Sequence, residues 1–189
     1  MTGCGGFVGS ALVRALLDQG ESVVGISRRR YPDLESLGMS WARIDLASDS
    51  AVVDMVNLMS QHPIEGVVHT AAVAGIWGPR AYYLANNVHA TEHLAEAAMK
   101  TNVSWMLFTS SPSVTFEGSD QSGVDESVGY ANTHLCHYSE TKSLAEQFVL
   151  SEKVTDHMPV IALRPHLVYG PGDPHLVPRV VERARSRRL

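Results

Sequence analysis

The chain has few cysteines, no long apolar run and no excess of basic residues. Cys4 and Cys136 are too few for a disulfide scaffold, which indicates a reducing, cytoplasmic setting. No apolar run approaches the roughly 18 residues that span a bilayer, so we expect no membrane span. The 15 basic and 20 acidic residues give a net charge of −5, which argues against a nucleic-acid partner.

The 189 residues have an ordinary globular composition, with 44% hydrophobic and 19% charged residues. Short β-branched segments alternate with segments of helical periodicity. Strands are predicted over residues 21–27, 40–46, 65–71, 104–110 and 160–165. Helices are predicted over 10–20, 48–61 (capped by Ser48), 81–100, 138–150 and from 177 onward. This alternation predicts an α/β fold, a Rossmann-like doubly wound parallel sheet with helices on both faces.

The glycine-rich segment begins almost at the first residue. A dinucleotide-binding fold places a strand of about five residues before such a loop, but only Met1 and Thr2 precede Gly3. We therefore expect the first strand and most of the C-terminal substrate region to be missing, with a rearranged sheet as the alternative. The expected division is a dinucleotide-binding domain over 1–170 and the start of a substrate-binding region over 171–189.

The segment TGCGGFVG at residues 2–9 has the glycine spacing of a phosphate-binding loop that opens a helix. Such glycines allow a tight turn, a close approach of the backbone to pyrophosphate and close helix packing. The helix N-terminus then offers free N–H groups to the phosphates. The expected cofactor contacts here are Gly3, Gly6, Phe7, Val8 and Gly9. An ordinary glycine-rich turn is the alternative.

No carboxylate stands about 20 residues after the glycines, where an NAD site requires one. Ser27 occupies this place and is followed by Arg28, Arg29 and Arg30. A hydroxyl and guanidinium groups suit a 2′-phosphate, because arginine pairs with phosphate in a bidentate fork. The sequence therefore favours NADP(H) over NAD(H), with a solvated basic turn as the alternative. Asp45 could bond the adenine amine or only precede a helix.

Tyr138 and Lys142 lie four residues apart in YSETK, hence on one face of the predicted helix. A free tyrosine has a pKa of about 10, and a nearby ammonium is expected to lower the pKa of Tyr138. Tyr138 would protonate a carbonyl oxygen as hydride arrives. Tyr138 and Lys142 are also expected to contact the cofactor, Lys142 at its ribose. Ser111, in the strand-end segment FTSSPSV, could hydrogen-bond the same oxygen. These three residues form the predicted catalytic set.

These motifs, with VVHTAA, NNVHATEHL and LRPHLVYGPGD, resemble the extended short-chain dehydrogenase/reductase family, also called the NAD-dependent epimerase/dehydratase family. The resemblance covers essentially the whole chain. Within the family, AGIWG, TSSPSV and GVDES are most similar to the 3-beta-hydroxysteroid dehydrogenase branch. The resemblance implies that Asp45 and Leu46 flank the adenine and that Ala71 and Ala72 line the cofactor cleft. It also implies that Asn87 lies behind the active site and that Pro165 and Val168 border the nicotinamide.

The resemblance also implies an activity and its alternatives. We expect an NAD(P)-dependent oxidoreductase acting on a secondary alcohol or ketone, with an apolar small-molecule substrate such as a 3-oxoacid or a sterol-like compound. A homodimer through the long helix and the tyrosine-bearing helix is an analogy with the family. The alternatives are a nucleotide-sugar epimerase or dehydratase, and a dinucleotide-binding remnant without catalysis.

Nine histidines raise the question of a metal site. His89 and His93 are four residues apart, and three possible ligands precede Tyr138. Zinc needs three or four convergent ligands, and neither HExxH nor paired CxxC motifs occur, so we expect no metal. His137 and His166 could instead bind a substrate carboxylate, or they are ordinary loop histidines.

Overall fold

The computed structural model describes residues 1–75, 77–173 and 176–187. Its sheet has five strands: β1 (Val24–Ser27), β2 (Ser40–Arg43), β3 (Gly66–His69), β4 (Trp105–Thr109) and β5 (Val160–Leu163). β1 pairs with β2, β3 with β4 and β4 with β5, and every pair is parallel. The predicted parallel α/β architecture is confirmed, although each strand is shorter than its apolar segment.

Met1 and Thr2 join the two halves of the sheet. The Met1 nitrogen donates to the Val24 carbonyl oxygen at 2.6 Å, and the Ile26 N–H donates to the Met1 carbonyl oxygen at 2.8 Å. On the opposite side, the Thr2 N–H donates to the Val68 carbonyl oxygen at 3.0 Å. The order across the sheet is therefore β2, β1, Met1–Thr2, β3, β4, β5. Two residues occupy the central position where a longer strand is expected, and the sheet is not rearranged.

The helices follow the strands in the expected alternation. They are α1 (Phe7–Asp18), α2 (Pro32–Glu35), α3 (Ala51–Gln61), α4 (Arg80–Tyr83), α5 (Ala90–Lys100), α6 (His137–Val149), α7 (Glu152–Thr155) and α8 (Leu176–Arg185). A 3-10 turn covers Pro112–Val114. The prediction that Ser48 caps α3 is wrong: the helix begins at Ala51, and the Ser48 hydroxyl donates to the Asp45 carbonyl oxygen at 2.8 Å.

The single helix predicted over residues 81–100 is interrupted by a π-helical turn, Leu84–His89, between α4 and α5. A π turn widens the helix by one residue and turns the side chains that follow it. Here it buries Asn87, whose amide bonds both backbone groups of Val73: the Val73 N–H donates to Oδ1 at 2.7 Å, and Nδ2 donates to the Val73 carbonyl oxygen at 3.2 Å. The π-helical turn thus coincides with hydrogen bonds between Asn87 and the Val73 backbone, which lies 14 residues earlier in the chain.

Two apolar clusters cover the two faces of the sheet. The larger one packs α3, α5 and α6 on the sheet and includes Met55, Leu94 and Phe108. The smaller one lies under α1 and α2 and includes Val13 and Leu34. None of the described side chains of α8 is buried. In the described ranges, no helix combines the length and apolar character needed to cross a bilayer. The division at residue 170 stays a prediction.

Candidate active site

The glycine loop lies at the carboxyl end of the sheet and opens α1. Gly3 has a φ of 65°, a left-handed conformation that favours glycine, and a Cβ there would lie 2.6 Å from the Ala71 nitrogen. A Cβ on Gly9 would lie 2.0 Å from the Gly3 carbonyl oxygen. Gly6 precedes α1 and has no side chain to cap it, so the first N–H groups stay available to an anion. The loop therefore fits a dinucleotide pyrophosphate.

A cavity of about 490 Å³ extends from this loop along the carboxyl ends of β1, β2 and β3. The predicted cofactor contacts that line it are Gly3, Gly6, Ser27, Arg28, Arg29, Asp45, Leu46, Ala71 and Ala72. Tyr31, Thr70 and Asn86 also line it, and the sequence patterns did not single them out. For Asn86 a signal was present, because it adjoins the predicted Asn87. We name this space the dinucleotide cleft.

Several predicted cofactor contacts do not line the dinucleotide cleft. Phe7, Val8 and Gly9 form the first turn of α1, where Gly9 packs against the loop backbone instead of facing the cleft. Asn87 is buried behind the cleft. Pro165 and Val168 are exposed and line neither this cleft nor the larger cavity described below, because they follow β5, the edge strand.

The Ser27 hydroxyl supports the turn after β1. It donates to the Arg29 carbonyl oxygen at 2.7 Å and accepts from Trp41 Nε1 at 2.8 Å. Both bonds fix the backbone at the end of the strand. Ser27 therefore lines the dinucleotide cleft as part of a hydrogen-bonded turn.

The three consecutive arginines have different surroundings. Arg30 makes three hydrogen bonds of 2.7–2.9 Å to the Glu35 carboxylate. Arg29 Nε donates to the Tyr31 hydroxyl at 3.1 Å, and its guanidinium lies over the Tyr31 ring. Arg28 and Arg29 line the dinucleotide cleft, whereas Arg30 does not. Two guanidinium groups thus border the dinucleotide cleft at the end of β1.

A larger cavity of about 860 Å³ lies beside the N-terminus of α6. Its lining residues are Trp77, Gly78, Ser113, Phe116, Asn132–Cys136, His137, Ser139 and Glu140. The apolar part of this wall consists of Trp77, Phe116 and Leu135. His137 lies in the wall, with Nδ1 3.5 Å from Glu140, while His166 is exposed and does not line it. We name this space the α6 cavity.

Tyr138 lies beside the α6 cavity, and the Ser111 hydroxyl is close enough to lower the pKa of Tyr138. Both neighbours of Tyr138 in the chain line that cavity. The Ser111 hydroxyl is also 2.9 Å from the hydroxyl of Ser113. Burial raises the pKa of Tyr138, and the Ser111 hydroxyl only partly opposes this effect. The prediction of a lowered Tyr138 pKa is therefore wrong.

Lys142 lies on the same helix as Tyr138, but its ammonium is engaged elsewhere. Nζ donates to the Thr109 carbonyl oxygen at 2.6 Å and lies 4.0 Å from the centroid of the Phe108 ring. Burial lowers the pKa of Lys142 to about 7, while the negative charge of Glu146 raises it. The structure thus places the Lys142 ammonium at the end of β4, on a residue that lies two positions before Ser111 in the chain. Lys142 makes no hydrogen bond to the Tyr138 phenol.

A buried hydrogen-bonded chain runs behind the dinucleotide cleft. His69 pairs with the hydroxyls of Thr2 at 2.6 Å and Thr91 at 2.9 Å, and Thr91 donates to the Asn87 carbonyl oxygen at 2.7 Å. Asn87 Nδ2 then donates to the Thr141 hydroxyl at 3.0 Å. This chain connects the sheet to α6 one residue before Lys142, so it fixes the orientation of the helix that carries the predicted catalytic residues.

The histidines and acidic groups of the site do not assemble a metal centre. In residues 1–75, 77–173 and 176–187, no three His, Cys, Asp or Glu side chains converge as metal ligands. Near the α6 cavity, Arg80 pairs with Glu140 at 2.5 Å. His89 pairs with Glu92 at 2.9 Å on the exposed side of the helix. These charged groups therefore have partners within the protein.

The parallel sheet, the glycine loop at a helix N-terminus and the cleft at the strand ends define a dinucleotide-binding protein of the Rossmann class. The chain belongs to the NAD dependent epimerase/dehydratase family, whose family model matches residues 1–188. The resemblance noted from the motifs is thereby confirmed.

Relatives in the family include reductases and dehydrogenases. The chain is 37% identical to a 2-alkyl-3-oxoalkanoate reductase of Shewanella oneidensis, over 100% of this chain and 49% of the relative. It is 34% identical to a 3 beta-hydroxysteroid dehydrogenase/Delta 5-->4-isomerase of Mycobacterium tuberculosis, over 96% of this chain and 50% of the relative. The chain thus spans about half the length of these curated relatives.

Solved structures show the same fold. MoeE5, in complex with UDP-glucose and NAD, superposes with a TM-score of 0.79 and is 32% identical. The match covers 97% of this chain and 59% of that protein. A structural neighbour therefore holds a nicotinamide dinucleotide together with a small-molecule ligand.

Proposed function

We propose that this chain functions in an NAD(P)-dependent oxidoreductase that interconverts a ketone and a secondary alcohol. The proximity of the Ser111 hydroxyl to the Tyr138 phenol, beside the α6 cavity, carries the proposal. The apolar wall of that cavity supports an apolar substrate, such as a 3-oxoacid or a sterol-like ketone. The likeness to an oxoalkanoate reductase and a hydroxysteroid dehydrogenase supports the same class of substrate.

The protein groups supply the proton transfer and its orientation. A bound nicotinamide dinucleotide supplies or accepts the hydride. During reduction, the Tyr138 hydroxyl donates its proton to the carbonyl oxygen, and the Ser111 hydroxyl holds that oxygen. The Tyr138 phenol is protonated at neutral pH, as a proton donor must be. Burial raises its pKa and makes it a weaker acid, so the proposed reaction needs the positive charge of Lys142 to offset the phenolate left behind.

Tyr138→Phe tests this role directly. The variant should lower turnover of a long-chain 2-alkyl-3-oxoacid by at least about 100-fold, the usual contribution of general acid catalysis. NADPH binding, followed by fluorescence, should remain unchanged. Tyr169→Phe, at an exposed tyrosine, is the matched control and should keep full turnover. Unchanged turnover in Tyr138→Phe contradicts the proposed role.

We propose NADP(H) as the preferred cofactor, because Arg28 and Arg29 border the dinucleotide cleft and no carboxylate ends β1. Arg28→Ala should weaken NADPH binding by about 10- to 100-fold, as expected for a lost charged hydrogen bond, and leave NADH binding unchanged. Arg30→Ala is the matched control, because Arg30 pairs with Glu35 outside the cleft. Equal losses for NADPH and NADH in Arg28→Ala would refute the preference.

A nucleotide-sugar epimerase or dehydratase is the second candidate, and the likeness to MoeE5 with UDP-glucose and NAD favours it. The same tyrosine chemistry would serve it. Incubation with UDP-glucose and NAD, against 2-alkyl-3-oxoacids and NADPH, separates the two activities. Binding of NADPH without turnover of either substrate indicates a dinucleotide-binding protein without catalysis.

We also propose a homodimer that packs α5 and α6 against their copies. Leu144 on α6 and Leu150 at its end are each 40% exposed, which supports an interface there. Sedimentation velocity should give a dimer for the wild type and a monomer for Leu144→Glu. The cytoplasmic location indicated by the few cysteines stays a proposal, to be tested by cell fractionation.

A further inference from the structure

Glu146 lies on α6 one helical turn after Lys142 and two turns after Tyr138. Its side chain is 1% exposed. A buried carboxylate is costly unless it is paired and hydrogen-bonded. The proposed reaction does not use Glu146 directly, so its partners indicate its role.

The Glu146 carboxylate joins α6 to two other segments. Arg164 donates to Oε1 from Nη2 at 2.5 Å and from Nε at 3.0 Å, and the Tyr130 hydroxyl donates to Oε1 at 3.1 Å. Arg164 begins the segment after β5 that is predicted to border the nicotinamide. Tyr130 precedes residues 132–137, which line the α6 cavity. One carboxylate therefore links the helix of Tyr138 to both segments.

Glu146 also acts on Lys142 by charge. The Lys142 ammonium is buried against the end of β4, and the negative charge of Glu146 opposes the effect of burial on its pKa. Arg164 places a positive charge on the far side of the same carboxylate. Glu146 thus favours the charged form of Lys142, and we expect the positive charge of Arg164 to weaken this effect.

The other titratable groups around Lys142 contribute little negative charge. His69 on β3 is buried, and its pKa is lowered to about 3, so it is neutral at neutral pH. Tyr138 on the same helix is protonated, because its pKa is raised. Arg80 and Glu140, where α4 meets α6, pair with each other. Glu146 is thus the anion that bears on Lys142 in this part of the site.

We propose that Glu146 is a positioning residue of the site. Its carboxylate favours the charged form of Lys142 and holds the segment after β5 and the loop of the α6 cavity against the catalytic helix. Glu146 itself touches neither cofactor nor substrate. The inference rests on the proposed function, in which Lys142 works as a cation near Tyr138.

Two isosteric variants should shift the pKa of Lys142 in opposite directions. Glu146→Gln leaves the Arg164 cation unbalanced and lowers the Lys142 pKa, whereas Arg164→Gln leaves the anion unbalanced and raises it. At an effective dielectric constant of about 20, each shift should reach about one unit. The double variant should return close to the wild type. A purely structural loosening would hydrate Lys142 and raise its pKa in all three variants.

Lysine side-chain NMR measures these shifts without requiring turnover. The chain has three lysines, Lys100, Lys142 and Lys153, and Lys142→Met identifies the signal of interest. Thermal melting verifies that each variant is folded at the temperature of the titration. Opposite shifts in the two single variants support the inference, and a rise or no change in both overturns it.

Turnover separates this inference from the proposed function. If the wild type does not reduce a ketone, the proposed function is refuted. Opposite shifts of the Lys142 pKa in the two single variants would still establish the charge coupling. With turnover present, the alkaline limb of the kcat profile should move to lower pH in Glu146→Gln and to higher pH in Arg164→Gln, by the shifts seen in the titration. An alkaline limb that stays fixed in both variants overturns the positioning role.

Discussion

His69 offers a sharp test of the buried hydrogen-bonded chain at the centre of the sheet. Its ring is 1% exposed and pairs with the hydroxyls of Thr2 and Thr91. Burial, reinforced by the nearby charge of Lys142, lowers the His69 pKa to about 3. The imidazole is therefore neutral in the folded protein at neutral pH, and acid should destabilise the fold through this residue.

The size of the effect follows from proton linkage. An unfolded histidine has a pKa of about 6.5. Below that pH, the His69 ring therefore takes up a proton when the protein unfolds. The stability due to neutral His69 is fully present above about pH 6.5 and is lost as the pH falls toward about 3. Each pH unit below about 6.5 lowers the free energy of unfolding by about 1.4 kcal/mol. Between pH 7 and pH 5 the free energy of unfolding therefore falls by about 2 kcal/mol.

Urea unfolding at both pH values measures this loss. His69→Gln should be less stable than the wild type at pH 7, but its free energy of unfolding should fall by about 2 kcal/mol less on going to pH 5. His157→Gln, at an exposed histidine, should follow the wild type at both pH values. An equal acid loss in the wild type and in His69→Gln would refute a buried neutral imidazole.

Two further predictions concern the glycine loop and the π-helical turn. Gly9→Ala should abolish dinucleotide binding and lower the free energy of unfolding by about 2 kcal/mol or more, because its Cβ would lie 2.0 Å from a backbone carbonyl oxygen of the loop. Gly129→Ala, with no atom within 4 Å of its Cβ, is the control in fluorescence titration and urea unfolding. Asn87→Ala should lower the free energy of unfolding, measured by calorimetry, by about 2–3 kcal/mol, because it leaves the Val73 N–H without its partner. Asn86→Ala, which removes a bond to the Tyr82 carbonyl oxygen, should lower it by less than about 1 kcal/mol.

The sequence predicts the parts of the molecule that depend on local pattern. The alternation of apolar strands with helical segments is enough to anticipate β3, β4 and α6 within a few residues. The motifs also place Ser111 after β4 and Tyr138 in the first turn of α6, where the structure has them, and their joint catalytic role stays a prediction. The glycine spacing likewise locates the loop at the start of α1.

Other features depend on contacts between distant segments and could not be read from the motifs. The π-helical turn depends on the bonds between Asn87 and the Val73 backbone. The raised pKa of Tyr138 depends on burial, while the ammonium of Lys142, expected beside the phenol from the YSETK spacing, binds the Thr109 carbonyl oxygen instead. Tyr31 borders the cleft because the turn after β1 folds back over the glycine loop, so close that a Cβ on Gly5 would meet its ring.

The junction at Met1–Thr2 affects how the protein unfolds. Within the described residues, these two carry the backbone pairing between β1 and β3, so side chains under α3 and α5 supply the rest of the cohesion. The half with β1, β2 and α1 carries the smaller apolar cluster on one face and joins the larger cluster through Ile26 and Ile44 on the other. It should open as a separate cooperative unit, with faster amide hydrogen exchange than β4. A ligand that spans the cleft bonds both units and would slow the exchange of the weaker one.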